Sequence, residues 1–397
     1  MTQIPLTHRV NAIQPSPTLA VTGRARELRE QGKDVIGLGA GEPDFDTPDH
    51  IKEAAIAAIR AGQTKYTAVD GTPELKKAIV EKFRRENDLE YALDQVLVSS
   101  GAKHSLFNLF LALVEEGSEV IIPAPYWVSY PDMVTVVGGT PVIVTAGADQ
   151  HFKITPGQLE NAITDRTRLL VMNSPSNPTG VMYSLEELEA LGEVLRRHPH
   201  VYVATDDIYE HIQWTQPRFV NLVNAAPDLY ERSLVVNGVS KVYAMTGWRI
   251  GYAAGPKELI GAMKKVQSQS TSNPASISQA ASAAALSGDQ SCVVDMVTEF
   301  QKRGEHVVER LNRLKGVTAL PSDGTFYSFP DFSTVIEATD GISNDVELAS
   351  HLLDTAEVAL VPGSAFGLEG HLRLSYATDL ATLDRALDRL EKVVGVG

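Results

Sequence analysis

The chain has 397 residues, of which 43% are hydrophobic and 21% are charged, a composition typical of a globular protein large enough for two domains. Its formal net charge of -15 argues against nucleic acid or anionic membranes as partners, and no apolar run reaches the roughly 18 residues that a membrane-spanning helix needs. Cys292 is the only cysteine and the first ten residues lack an apolar signal segment, so we expect a cytoplasmic protein without an internal disulfide.

Several helix boundaries are well marked in the sequence. Thr47 and Thr72 each precede a proline, so we expect both threonines to cap helices, the first of which is closed by Gly62. Ser184 and Glu187 have the spacing of a capping box.

Between about residues 95 and 255, short apolar runs alternate with helical patterns. This alternation predicts an α/β fold in which a largely parallel sheet is covered by helices on both faces. The runs expected to form strands are Gln95–Ser99, Glu119–Ile122, Pro141–Val144, Arg168–Met172, His200–Ala204, Ser233–Val236 and Arg249–Ala253.

The pattern changes from about residue 285. A long charged helix passes through Phe300 and Leu311, strands are expected near Thr325–Phe329 and His371–Ser375, and a final helix covers Leu383–Val393. We therefore expect a large domain formed by residues 47–284 and a smaller α+β domain formed by residues 1–46 and 285–397.

Ligands of a parallel sheet bind beyond the carboxyl ends of its strands, so the residues after each strand are candidate site residues. Gly101 and Ala102 open a helix whose free N–H groups favour an anion, although a structural turn is the alternative. Lys103 opposes the dipole of that helix unless an anionic ligand lies nearby. Trp127 could offer a flat face to a ligand ring or simply pack in the core.

Two aspartates, Asp206 and Asp207, emerge from an apolar strand, where a carboxylate is costly unless it is paired. Strand alternation does not decide which of them faces a ligand. Tyr209 follows in the same segment. Asn177 lies in a run of turn-forming residues that, by itself, indicates only a loop.

The most informative segment runs from residue 237 to residue 251. An apolar strand ends in small residues, Ser240 and Lys241 follow, and Arg249 comes eight positions after the lysine. A lysine amine can form an imine with an aldehyde, small residues let the backbone approach an anion, and arginine offers a planar fork to phosphate oxygens. This combination is what a protein needs to bind an aldehyde cofactor that carries a phosphate.

The segment from Gly238 to Gly251 resembles the pyridoxal-phosphate (PLP) attachment signature of class I aminotransferases, and the Asn-Pro-Thr-Gly tetrad at 177–180 resembles a second signature. The likeness covers nearly the whole chain. It is greatest to the bacterial branch that contains the Thermus-like aspartate aminotransferases and the bifunctional aspartate/prephenate enzymes, which share residues 40–48 and 125–131 almost unchanged. The resemblance implies a fold type I PLP-transferase, with a mostly parallel seven-stranded sheet in the large domain.

The resemblance also implies roles for individual residues. Lys241 would bind PLP and act as the base, Asp206 would pair with the pyridine nitrogen, and Tyr209 would contact the ring oxygen. Further PLP contacts are implied at Gly101, Ala102, Trp127, Asn177, Ser240, Arg249 and Tyr66, the last from the other subunit of a homodimer. Substrate contacts are implied at Gly41, Trp127, Asn177, Arg373, Thr18, Lys103 and Ser268, of which the last three would serve acidic substrates.

Two details qualify the likeness. Pro125 and Pro178 are expected to follow cis peptide bonds. Gly238 stands where some family members carry a phosphate-binding serine, so Ser240 or the backbone near Ala102 would have to compensate.

The implied reaction is transfer of the amino group of L-aspartate to 2-oxoglutarate in a ping-pong cycle, with prephenate as a further acceptor. The implied partners are small molecules, namely amino acids and 2-oxo acids, without nucleic acid, membrane or metal. An aromatic or broad-range aminotransferase is the nearest alternative, and a PLP β-lyase is a more distant one.

Overall fold

The computed structural model describes residues 4–13 and 17–397. The α-helices of these residues are α1 (His8–Ala12), α2 (Pro17–Glu30), α3 (Asp49–Arg60), α4 (Pro73–Asn87), α5 (Ala102–Leu113), α6 (Ser129–Val136), α7 (Pro156–Ala162), α8 (Leu185–Arg197), α9 (Leu222–Ala225), α10 (Lys257–Ser268), α11 (Ser276–Ser287), α12 (Ser291–Leu311), α13 (Ser333–Ala338), α14 (Asp345–Thr355) and α15 (Leu380–Val394). No helix among the described residues is both long enough and apolar enough to span a membrane.

The strands of the same residues are β1 (Ile36–Gly37), β2 (Val96–Ser99), β3 (Glu119–Ala124), β4 (Thr140–Thr145), β5 (Thr167–Asn173), β6 (Tyr202–Asp206), β7 (Ser233–Gly238), β8 (Gly251–Ala254), β9 (Tyr327–Ser328), β10 (Val358–Ala359), β11 (Val361–Pro362) and β12 (Leu372–Ser375). A seven-stranded sheet has the order β2-β8-β7-β6-β5-β3-β4. Only β8 runs antiparallel to its neighbours in this sheet, so the predicted mostly parallel sheet is confirmed.

Apart from its edge strand β4, the central sheet is buried on both faces, as its continuous apolar strands require. Along β2, Leu97 packs with Leu106 of α5 on one face, whereas Val96 and Val98 belong to the cluster that contains Ile79 of α4 on the other. Neighbouring residues of one strand thus enter opposite cores, which is the period of two that a pleated strand imposes.

Most of the expected helix boundaries are observed. The Thr72 hydroxyl accepts a hydrogen bond from the N–H of Leu75, and Ser184 and Glu187 form the expected capping box. The prediction for Thr47 is wrong, because α3 starts only after Pro48 and has no side-chain cap. The Thr47 hydroxyl instead donates to the carbonyl of Ala244 at 2.7 Å, which ties it to the segment after Lys241.

A second core forms around two small sheets, β11-β12-β9 and the parallel pair β1-β10. Helices α12, α14 and α15 cover it, with Phe300, Leu352 and Leu390 fully buried. Ile208 and Ile212, which follow β6 of the central sheet, also pack into this second core. The end of β6 is therefore held from both sides; the domain boundaries themselves remain a prediction.

Candidate active site

A cavity of about 470 Å³ lies at the carboxyl ends of β5, β6 and β7, where the second core meets the central sheet. Parallel α/β sheets place their ligand sites at this edge. The cavity is lined by Gly41, Ala102, Lys103, Trp127, Val128, Ser129, Tyr130, Asn173, Asn177, Asp206, Ile208, Tyr209, Ser240, Lys241, Arg249, Tyr327 and Arg373.

Four of the predicted site residues are not among these lining residues. Gly101 lies directly behind the cavity as the residue before α5. Tyr66 is 92% exposed on the surface, and the exposed Ser268 donates its hydroxyl to the carbonyl of Lys265. The backbone of Thr18 lies in α2, but its side chain is outside the described part of the structure. Within one chain, therefore, Tyr66 and Ser268 do not reach the cavity.

Lys241 follows β7 and carries its ammonium into the cavity. Its Nζ donates a hydrogen bond to the carbonyl of Gly41, a residue 200 positions earlier in the chain. Burial, with a further contribution from the positive charge of Arg373, lowers the pKa of Lys241 to about 8. An amine with this pKa loses its proton readily near neutral pH, as a nucleophile or a general base must.

Asp206 ends β6, and its two carboxylate oxygens have different surroundings. The Tyr130 hydroxyl donates to Oδ2 at 2.7 Å, whereas Oδ1 is buried and lacks a partner among the described residues. Burial raises the pKa of Asp206 to about 6, although the hydrogen bond from Tyr130 opposes the rise. Asp207 is bonded instead to Asn221, outside the cavity lining. The geometry thus places Asp206, of the two aspartates, at the cavity with one oxygen free for a ligand donor.

One end of the cavity is built for an anion. The guanidinium of Arg249 lies against the start of α5, so close that a Cβ atom on Gly101 would be 2.5 Å from Arg249 Nη2. Gly101 also has a φ of 91°, which makes glycine the residue that fits there. A guanidinium beside a helix N-terminus brings two positive groups together, and an anion bound between them removes the repulsion.

Arg373 of β12 is buried in the cavity wall without a carboxylate partner among the described residues. Its Nη1 donates to Asn177 Oδ1 at 3.0 Å and its Nη2 donates to the carbonyl of Gly39 at 2.7 Å. Its Nε has no partner in residues 4–13 and 17–397. Burial lowers the pKa of this guanidinium, which is the cost of holding a charge away from water. An anionic ligand would compensate that charge.

Lys103 lies at the open side of the cavity, with its Nζ 4.7 Å from the centroid of the Trp127 ring. Within the described ranges it forms no ion pair. Desolvation, together with the charge of Arg249, lowers the pKa of its ammonium. Tyr130 packs edge-to-face against Trp127 at 5.4 Å and fixes the plane of the indole. A flat ring and a free cation therefore stand side by side.

Six of the lining residues were not predicted from the sequence, and three of them bond to one another or to a predicted site residue. Tyr130 bonds Asp206, Asn173 Nδ2 donates to the Asp206 carbonyl at 2.7 Å, and Tyr327 Oη lies 3.0 Å from Tyr209 Oη. Tyr130 lies within the 125–131 segment, and Asn173 ends a strand, so both had a usable signal. Tyr327 had none beyond being a tyrosine in a strand.

One of the two expected cis peptide bonds is observed. The Ala124–Pro125 bond is cis, but the bond before Pro178 is not. In the loop that contains Pro178, the cis bond is instead Ser174–Pro175. The turn around Pro178 closes by other means, because the N–H of Asn177 donates to Asn173 Oδ1 and that of Gly180 to the Ser176 carbonyl.

Comparison with known proteins identifies the family. Residues 33–390 match the family model described as aminotransferase class I and II. The chain belongs to this aminotransferase family.

The aminotransferase is 57% identical to the aspartate/prephenate aminotransferase of Nitrosomonas europaea, over 98% of its own length and 99% of that protein. The crystal structure of the aspartate aminotransferase from Rhizobium meliloti superposes with a TM-score of 0.95 at 51% identity, covering 98% of both chains. The aspartate aminotransferase of Thermus thermophilus with maleate gives a TM-score of 0.92 at 45% identity, over 98% of this chain and 100% of the other. The family, the bacterial branch and the fold type I architecture expected from the sequence are confirmed.

As a member of this family the aminotransferase depends on PLP. The cavity suits that cofactor on independent grounds. It offers an anion site at Arg249, an unpartnered buried carboxylate oxygen on Asp206, a flat indole at Trp127 and a lysine of lowered pKa.

Proposed function

We propose that this aminotransferase transfers the amino group of L-aspartate to 2-oxoglutarate and accepts prephenate as a further oxo acid. Four cations line the cavity without a carboxylate partner in the described chain, and beside Lys241 and Arg249, which are assigned to the cofactor, Arg373 and Lys103 carry the proposal. Each of these substrates has two carboxylates, one for each cation. The names of the Nitrosomonas and Rhizobium relatives, and the dicarboxylate maleate in the Thermus structure, support the same substrate class.

When bound, PLP supplies an electron sink that makes the substrate Cα–H bond acidic. Arg249, Gly101, Ala102 and Ser240 would hold its phosphate, by charge and by the helix N-terminus. The free Oδ1 of Asp206 would accept a hydrogen bond from the ring nitrogen and stabilise its protonated form. Trp127 would cover the ring face, and Asn177 and Tyr209 would contact the ring oxygen.

Lys241 anchors the cofactor and, once released, moves the proton. Its Nζ takes the proton from Cα, which a pKa of about 8 allows near neutral pH. The Gly41 carbonyl keeps this nitrogen within the cavity by accepting its hydrogen bond. The same nitrogen would also be the group that returns the proton, so that one side chain could serve as base and acid.

Arg373 orients the substrate. Its guanidinium is held by Asn177 and Gly39 and would grip the substrate α-carboxylate bidentately. A fixed carboxylate sets which Cα bond is presented to Lys241, and this favours proton loss over decarboxylation. Lys103 would receive the distal carboxylate, whereas Ser268 of the same chain does not reach the cavity and Thr18 stays a prediction from the sequence.

The active unit proposed is a cytoplasmic homodimer. Tyr66 is 92% exposed in the single chain, and a large aromatic side chain at such a position suits contact with the PLP phosphate of a partner subunit. The single cysteine, Cys292, is a free thiol, which suits a reducing compartment.

The experiment that tests the function is a substrate panel with wild-type enzyme and the Lys241→Ala variant. Wild type should convert L-aspartate and 2-oxoglutarate to oxaloacetate and L-glutamate, and Lys241→Ala should lose both turnover and the visible absorbance of the bound cofactor. Undiminished turnover by the variant would refute the role of Lys241. Higher kcat/KM for aromatic amino acids than for aspartate would favour the aromatic aminotransferase, and release of pyruvate with ammonia would indicate a β-lyase.

A further inference from the structure

Behind the active site lies a lysine that no step of the reaction uses. Lys82 of α4 is fully buried and forms an ion pair with Glu210, which is itself only 6% exposed. Glu210 directly follows Tyr209 in the chain, yet neither Lys82 nor Glu210 is among the residues that line the cavity.

Hydrogen bonds connect this pair to two other segments. Lys82 Nζ donates to Asn87 Oδ1 at 2.7 Å, and Asn87 Nδ2 donates to Glu210 Oε2 at 2.7 Å. Asn237 of β7 donates to the other oxygen, Oε1, at 2.8 Å. Asn237 lies four residues before Lys241. One carboxylate therefore joins α4, the segment of Tyr209 and the strand that leads to Lys241.

Stability alone does not account for the pair. Taking two charges out of water is costly, and apolar side chains of similar volume usually serve the fold as well or better. Burial by itself would raise the pKa of Glu210, but the charge of Lys82, with hydrogen bonds from Lys82 and Asn87, holds that pKa below its usual value. Glu210 is thus ionised at neutral pH despite its position in the interior.

A metal site does not explain the cluster either. Glu86, Glu210 and His211 present ligand atoms within 4.8 Å of one another. However, the Lys82 ammonium is paired with Glu210 and lies 3.8 Å from Glu86 Oε2, so a cation already occupies this position.

We propose that Lys82 and Glu210 are positioning residues, which hold the Tyr209 and Lys241 segments in the relative placement that PLP requires. The proposal rests on the roles proposed above for Tyr209 and Lys241. A backbone hydrogen bond of 2.9 Å from the N–H of Asp207 to the carbonyl of Val236 links the same two segments independently of the pair. On this proposal, the pair determines the directions of the Tyr209 and Lys241 side chains.

The first test separates positioning from stability. Glu210→Gln leaves Lys82 with only the more distant carboxylate of Glu86, at 3.8 Å, and should lower the melting temperature of the cofactor-free protein. Lys82→Met/Glu210→Gln removes both charges and should restore the melting temperature. It should still bind PLP about tenfold more weakly than wild type, because the neutral amide at position 210 accepts weaker hydrogen bonds than the Glu210 carboxylate does. A double variant that regains both properties would overturn the proposal, since PLP affinity would then merely follow stability.

The second test holds even if the double variant does not regain its stability. Asn87→Ala and Asn237→Ala each remove two side-chain hydrogen bonds, one of them to Glu210, from a buried position. Only Asn237 lies on the strand that leads to Lys241. The two variants should lose similar melting temperature, but Asn237→Ala alone should bind PLP about tenfold more weakly, by titration of the cofactor-free protein. Equal PLP affinities would contradict the proposal.

Lys241→Ala, measured in parallel, tests the site itself. If that variant behaves as expected while the pair variants bind PLP like wild type, only the positioning role fails. If Lys241→Ala keeps its turnover, the site assignment fails first.

Discussion

Replacing Lys103 by methionine removes one charge from the mouth of the cavity and keeps most of the side-chain volume next to Trp127. The ammonium is exposed, so its attraction for a substrate carboxylate is partly screened by water. At about 4 Å, Coulomb's law gives about 1 kcal/mol in water and about 4 kcal/mol at a protein surface, and measured exposed pairs lie at or below the lower value. We expect a loss of about 1 kcal/mol, the lower of these values, which is about fivefold in kcat/KM.

The loss should depend on the substrate. L-Aspartate carries the distal carboxylate and L-alanine does not, so kcat/KM for aspartate should fall by that factor while the value for alanine changes little. Lys302→Met, which removes an exposed lysine of α12 away from the cavity, is the control and should alter neither value. Equal losses for aspartate and alanine in Lys103→Met would refute the distal-carboxylate role.

Three further predictions follow from the site geometry. Tyr130→Phe removes the hydrogen bond that lowers the pKa of Asp206, so this pKa should rise further above about 6. PLP binding to the cofactor-free protein should then weaken about tenfold near pH 6, and the acid limb of its pH profile should move to higher pH. The control Tyr183→Phe, which loses a buried hydroxyl bonded to a backbone N–H, should leave the pH profile unchanged. Arg373→Lys keeps the charge but loses the planar fork, and steady-state kinetics should show about 10- to 100-fold lower kcat/KM for aspartate and alanine alike; a loss confined to aspartate would instead place Arg373 at the distal carboxylate. Mixing inactive Lys241→Ala with Tyr66→Ala protein should restore partial activity, because the hybrid dimer contains one site free of both changes; no recovery after subunit exchange would argue against a Tyr66 contact across the interface.

The sequence was most informative where one local pattern decides the outcome. Buried strands alternating with amphipathic helices predicted the sheet, and the Ser-Lys segment with Arg249 predicted the anion end of the cavity, because strand, turn and helix start are neighbours in the chain. The failures concern choices that depend on distant partners. Thr47 had the pattern of a helix cap, but its hydroxyl bonds a carbonyl 197 positions away.

The same reason explains the missed residues. Tyr130 is important because Asp206 lies opposite it, 76 positions later, and Tyr327 because of Tyr209, 118 positions earlier. From the sequence alone, Lys82 would be predicted to be an exposed lysine on a charged helix. Only the fold shows that it is buried against Glu210, 128 positions away. Sequence patterns report local structure, whereas these roles arise from tertiary contacts.

The contact between Arg373 and the Gly39 carbonyl spans 334 positions of the chain. Edge strand β2 likewise pairs with β8, which comes much later in the sequence. During synthesis, Lys241 therefore emerges from the ribosome well before Arg373, the residue proposed to hold the substrate carboxylate. A nascent chain can complete its central sheet while it is still unable to hold an amino acid in the reactive orientation. On the roles proposed above, catalytic competence therefore requires nearly the whole chain.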